Sequence, residues 1–291
     1  MKPPPGGVLP SNTVMHVRGR ALTTTLIVAA AAAAVALALT SFGVHAQARP
    51  AAKKPAAAAA PAAEMKVPFR AGETLTYNVG WSTYFTAGTA TMRVQERRPL
   101  GGNRAAYVLV AEGKRGTILS KLYDLYYKAE TQLDTRTLLP LTASVFSKEG
   151  SRTRIKTTHF KGAGRTADYE LRTSNVSRRK LAVQPYTQDA LSAIYVIRTL
   201  PFKAPDMVRM PVTSGGDVYR VTLHYGPPET VKTAAGTFQA WKVSINAIDQ
   251  DGKPAARGMA VWFSNDARKL PVKMEAALPV GSFTLTLSSV R

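Results

Sequence analysis

The chain has 291 residues, 45% of them hydrophobic, no cysteine and a formal net charge of +21. That size permits one large or two small domains with a substantial core. The missing thiol excludes disulfides, thiolate catalysis, cysteine-ligated zinc and the lipidated cysteine of a bacterial lipoprotein together.

Arg18 and Arg20 precede an apolar run from Ala21 to Leu39, and Val44 and Ala46 fit the small-residue pattern of a signal-peptidase site. Residues 1–46 therefore read as a signal peptide cleaved after Ala46. The run is nearly long enough for an uncleaved anchor, although its alanines would make a weak one, and no stable membrane span is expected after cleavage. The expected destination is the periplasm of a Gram-negative bacterium. Gln47–Lys66, an Ala/Pro/Lys tract, has little to pack and reads as a disordered linker. A single β-rich domain should then fill residues 67–291. Only Lys2, Arg18 and Arg20 of the cationic excess precede Gln47, so the charge is spread through the body. It suits anionic partners or an ordinary solvated basic surface.

From Glu73 onward, short runs rich in Val, Ile, Thr and aromatics alternate with Gly, Asn, Asp and Pro. Strands are expected at Glu73–Val79, Thr86–Glu96, Arg104–Glu112, Ile118–Leu133, Leu141–Lys148, Arg152–Phe160, Thr166–Arg172 and Val176–Val183. Tyr186–Pro201 follows as the one strong helix signal after the leader, with Thr187 as N-cap, Asp189 at the positive end of the dipole, Arg198 at the negative end and Pro201 as the stop. Its apolar residues lie on nearly every face, so the helix, over about Thr187–Leu200, calls for burial. Further strands are expected at Asp217–Tyr225, Glu229–Thr233, Thr237–Ile248, Arg257–Ser264, Leu270–Ala277 and Ser282–Val290. Turns at Gly101-Gly102-Asn103, Lys148-Glu149-Gly150, Asp251-Gly252 and Val280-Gly281 make neighbouring strands antiparallel. The expected fold is mainly β: a large antiparallel meander curled into an open or incomplete barrel around one central helix.

Only His159 and His224 remain after Ala46, neither in a metal-ligand pair, and there is no Gly-x-Ser-x-Gly elbow, P-loop or dinucleotide fingerprint. No metal, cofactor or catalytic residue is assigned. Asp249-Gln-Asp251-Gly252 reads as a turn, since a calcium loop would need further ligands. Asp189 and Arg198 are candidate binding residues that could equally serve the helix ends. Arg152, Arg154 and Lys156 share one strand face, with Arg178-Arg179-Lys180 nearby in sequence. They form a candidate anionic-ligand patch, with solvated hairpins as the alternative. Tyr123 and Tyr127, in the stretch Lys121–Lys128, offer aromatic faces beside cations, which suit sugars or lipid headgroups as well as ordinary strand composition.

Four stretches together resemble the family of exported bacterial proteins known as domain of unknown function 3108. They are Gly72-Glu73-Thr-Leu-Thr-Tyr77 through Gly80-Trp81 with Gly88; Asp189–Arg198; Gly236-Thr-Phe-Gln-Ala-Trp-Lys242; and Val261-Trp-Phe-Ser-Asn-Asp266 with Arg268-Lys-Leu-Pro-Val272. The resemblance implies a periplasmic, incomplete-barrel domain over about Val67–Arg291 and brings no activity. The leading expectation is non-enzymatic binding or carriage of an anionic or amphipathic envelope component: a lipid, glycolipid or anionic polysaccharide. The alternatives are an assembly partner for another envelope protein, or a hydrolase or transferase using isolated carboxylates, with Asp189 and Asp266 as the first candidates. Nucleic-acid binding ranks below these, because export removes the usual targets even though the charge would permit it.

Overall fold

The computed structural model describes residues 63–81, 85–115, 125–161, 166–278 and 281–291. Expectations for the signal peptide, most of the linker and Tyr123 fall outside these residues. Fifteen strands form one sheet: β1 (Thr74–Trp81), β2 (Phe85–Gly101), β3 (Arg104–Arg115), β4 (Leu125–Asp134), β5 (Pro140–Glu149), β6 (Arg152–Lys161), β7 (Thr166–Arg172), β8 (Val176–Ala182), β9 (Gln188–Asp189), β10 (Met207–Ser214), β11 (Asp217–Thr233), β12 (Gly236–Ile248), β13 (Pro254–Ser264), β14 (Pro271–Leu278) and β15 (Gly281–Val290).

The spatial order runs β8 to β1, then β15 to β9, so the first and last long strands lie side by side. Every pairing is antiparallel except β9 with β10. The turn residues explain the meander. Gly102 and Asn103 at the β2–β3 corner and Gly252 at the β12–β13 corner adopt positive φ, which reverses the chain tightly. Alternation sets the curvature: Tyr219, Val221, Leu223 and Tyr225 are buried on the concave face while Arg220 and His224 are exposed.

The sheet is not closed. β8 is one edge and β9 the other, and the β8 side leans on the β10–β11 corner: Arg179 of β8 donates to Gly216 O there (3.0 Å), and Val218 packs with Ala167 and Val183 in a small second core. The incomplete barrel expected from the alternation is thus the observed fold.

The helix α1 (Ala190–Ile197) fills the hollow, with Leu191, Ile194, Tyr195 and Ile197 buried in the main core. The sequence-based span Thr187–Leu200 and the cap at Thr187 require correction. Gln188 and Asp189 are held extended against Val212 and Thr213, so the helix cannot begin until Ala190. Asp189 is the N-cap. Its Oδ1 accepts from the Leu191 and Ser192 amides (2.9 and 3.3 Å), while Ser192 Oγ accepts from the Asp189 amide (3.0 Å), a reciprocal capping box. Thr187 instead donates its hydroxyl to Gln184 O.

Candidate functional site

The two ends of α1 have opposite characters. At its C-terminal end, Arg198 is fully buried and held by Glu73, the residue just before β1. Nη1 donates to Oε1 (2.6 Å) and Nη2 to Oε2 (2.9 Å), a fork geometry that matches a carboxylate. The guanidinium also donates to Arg268 O (3.0 Å) and stacks over the Phe69 and Tyr195 rings. Each of the three guanidinium nitrogens has an acceptor, and Arg198 is 1% exposed. Arg198 is thus committed to contacts within the fold.

Three of the sequence stretches noted above meet at this cluster. Glu73 comes from the first, Arg198 from the second, and the Arg268 carbonyl from the last. Asp266 organises that last corner, its Oδ1 accepting from the Arg268 and Lys269 amides (both 3.0 Å) and from Ser264 Oγ (2.8 Å). The enzyme alternative names Asp189 and Asp266 as isolated carboxylates. Here they lie beyond opposite ends of α1, and Asp266 is tied up in its turn.

The flanks of α1 face hollows instead. Between the helix and β10–β14 lies one of about 580 Å³, counted out to its opening and lined by Ile194, Ile197, Met210, Met259 and Met274, with Glu275 as its one carboxylate. Glu275 is paired with Lys273 (2.6 Å). On the opposite flank a smaller hollow lies against Met92, Tyr127, Leu191 and Ile194. A third lies between α1, β4, β5 and β6 and is the most polar of the three. Asp189, Lys156, Tyr127 and Tyr169 line it, together with Ser144 and Thr158.

The third hollow joins three of the candidate residues read from the sequence: Asp189, Lys156 and Tyr127. Asp189 Oδ1 accepts a further bond from the Thr131 hydroxyl (2.8 Å), but Oδ2 accepts none among the described residues. Burial raises the Asp189 carboxyl pKa, against the lowering pull of those hydrogen bonds. Burial, helped by Arg154, lowers that of the Lys156 ammonium, while Glu149 and Asp217 oppose the shift. Burial also raises the Tyr127 hydroxyl, with the Asp189 charge adding to it.

Arg152, Arg154 and Lys156 do share one face of β6, opposite Glu149, Ser147 and Val145. They do not act alike. Arg152 is exposed, Arg154 pairs with Glu149 (3.4 Å), and Lys156 turns into the polar hollow. The neighbouring cations are largely matched: Arg172 and Arg178 both hold Glu170 (2.8 and 2.7 Å), and Lys161 holds Asp168 (2.5 Å). Sequence reading missed the methionines of the apolar hollow. Met210, Met259 and Met274 come from three strands, and only alternation within each strand could have placed them on one face.

The family described as protein of unknown function (DUF3108) matches residues 76–288. No curated protein matches the chain. Among solved structures it is similar to a beta-barrel-like protein of domain of unknown function DUF1849 from Brucella abortus. Identity is 12% and the TM-score 0.44, over 75% of this chain and 96% of that one. It is also similar to a protein from Bacteroides fragilis with a YmcC-like fold, named as exported. There identity is 12% and the TM-score 0.30, over 79% of this chain and all of the other. No helix among the described residues is long and apolar enough to cross a membrane.

Proposed function

We propose that this chain, which belongs to the DUF3108 family of proteins of unknown function, binds or carries an amphipathic envelope component in the periplasm, the acyl part lying in the hollow between α1 and β10–β14. The observation that carries this reading is the apolar lining of that hollow. Ile194, Ile197, Met210, Met259 and Met274 line it from the helix and three strands, the kind of mainly apolar concave wall that ligand sites use. Thioether side chains suit a flexible hydrocarbon, because methionine adapts its rotamers to an irregular occupant. The excess positive charge supports the same reading, since anionic headgroups and membrane surfaces attract such a protein. No catalytic group is required for carriage. Export rests on the leader pattern, and envelope protein should read Gln47-Ala48-Arg49 at its N-terminus after cleavage.

The direct test is native mass spectrometry of protein purified from its own envelope, with lipid extraction of the same sample. Acyl-bearing adducts released by solvent are the expected result. Protein that emerges bare, and that also fails to bind lauric acid in titration, would end the proposal.

A further inference from the structure

The polar hollow beside the helix cap carries an inference that deepens the carriage reading and rests on it. We infer that this hollow receives the hydroxylated headgroup of the ligand, a sugar, with Asp189 Oδ2 accepting a hydroxyl hydrogen bond from it. Two observations converge. Asp189 is 7% exposed, its Oδ1 is fully committed to the cap and to Thr131, and its Oδ2 has no donor among the described residues. A buried acceptor left unmatched forfeits the hydrogen bonds it had in water, which a donor on a ligand would recover. The second observation is the lining: Ser144, Thr158, Tyr127, Tyr169 and Lys156 stand around the same space.

The mixture of groups selects the ligand class. A wholly anionic group would face the Asp189 carboxyl, and an ammonium would share the space with Lys156. A neutral polyol offends neither. Its hydroxyls can donate to Asp189 and accept from Lys156, Ser144 or Thr158, while its C–H faces pack on tyrosine rings. The location fits an amphipathic molecule as well. Ala190 borders both the polar hollow and the apolar one, so head and chain would meet at the first turn of α1.

The test uses the full mature chain, with dodecyl maltoside, lauric acid and maltose as probes, titrated calorimetrically below micelle-forming concentrations. Wild type should bind dodecyl maltoside. Asp189→Asn keeps the capping oxygen but replaces the free acceptor by a donor, so it should weaken dodecyl maltoside by about tenfold or more and leave lauric acid within about twofold. Ser144→Leu fills the hollow from β5 without touching the cap. It should give the same split, and it carries the test should Asp189→Asn fail to fold. Dodecyl maltoside binding that both variants leave intact overturns the inference. Wild type that binds lauric acid but not dodecyl maltoside overturns it too, while the carriage reading survives. Binding of neither probe sinks the carriage reading itself. Maltose bound as tightly as dodecyl maltoside, with the same losses in both variants, supports the subsite with a free saccharide as its occupant.

Discussion

The buried Arg198–Glu73 pair shows how one residue's role depends on its partners rather than its charge. Two ions removed from water cost several kcal/mol each, and only close geometry with further hydrogen bonds offsets this. Arg198 has both, through Glu73, Arg268 O and two aromatic rings. Removing one member should be far worse than removing both. Arg198→Met is expected to destabilise by about 3–5 kcal/mol, and Arg198→Met with Glu73→Leu by clearly less. Urea melts of the two single variants and the double variant measure it, and an additive double variant would show that the pair is not coupled. Lys156 is the opposite case: a half-buried cation without an ion pair among the described residues. Its folded pKa is depressed. Such a lysine destabilises the fold fully below the folded pKa, and the penalty vanishes as pH rises through the unfolded value near about 10.4. Lys156→Met should therefore raise Tm at neutral pH, with the gain fading as pH passes about 10.4. A gain of the same size at both ends would assign it to packing.

Among the elements, the long strands were legible because alternation and turn residues agree, as along Tyr219–Tyr225, where every second side chain is buried. β10 was not legible. Pro205 and Pro211 make Met207–Ser214 read as a loop, yet Pro211 is tolerated because β10 pairs fully only with β11. On its other side only Val212 and Thr213 are bonded, to β9, so the missing amide removes no ladder bond there. The helix was legible as an element but not in its start, because its cap is set by the parallel pairing of β9, a contact no local pattern encodes. Of the site, Asp189, Lys156 and Tyr127 were singled out for other reasons; their convergence depends on how far the sheet curls. Burial of α1 gives its own prediction. Ile194 is 5% exposed and separates the apolar hollow from the smaller one beside Tyr127. Ile194→Ala should thus merge two spaces rather than collapse one, and cost about 2–5 kcal/mol. A neutral urea midpoint would contradict the central position of the helix.

At the scale of the whole molecule, the question is what keeps a fifteen-stranded sheet curled when its edges do not pair. β8 is solvent-exposed along nearly its whole length and carries Arg178, Arg179 and Lys180, cations that discourage another chain from adding a strand there. This weakens the idea of an edge that recruits an envelope protein. Curling instead depends on side-chain contacts between β7–β8 and the β10–β11 corner, and Gly216 is the tightest of them. Its φ is +92°, and a Cβ would come within 2.5 Å of Arg179 Nη2 and 2.6 Å of the Tyr169 ring. The arginine could swing away, but Tyr169 is 4% exposed and packed. Gly216→Ala adds strain at positive φ to a clash, and should cost about 1–3 kcal/mol. The loss should also be local. β1–β4 and β11–β15 are anchored to α1 and the main core, whereas β6–β8 rest on the small cluster of Ala167, Val183 and Val218. Amide exchange in Gly216→Ala should accelerate in β7 and β8 well before β1 and β2. Uniform acceleration would mean that the corner contact stabilises the fold as a whole, and unchanged exchange that the curl does not depend on it.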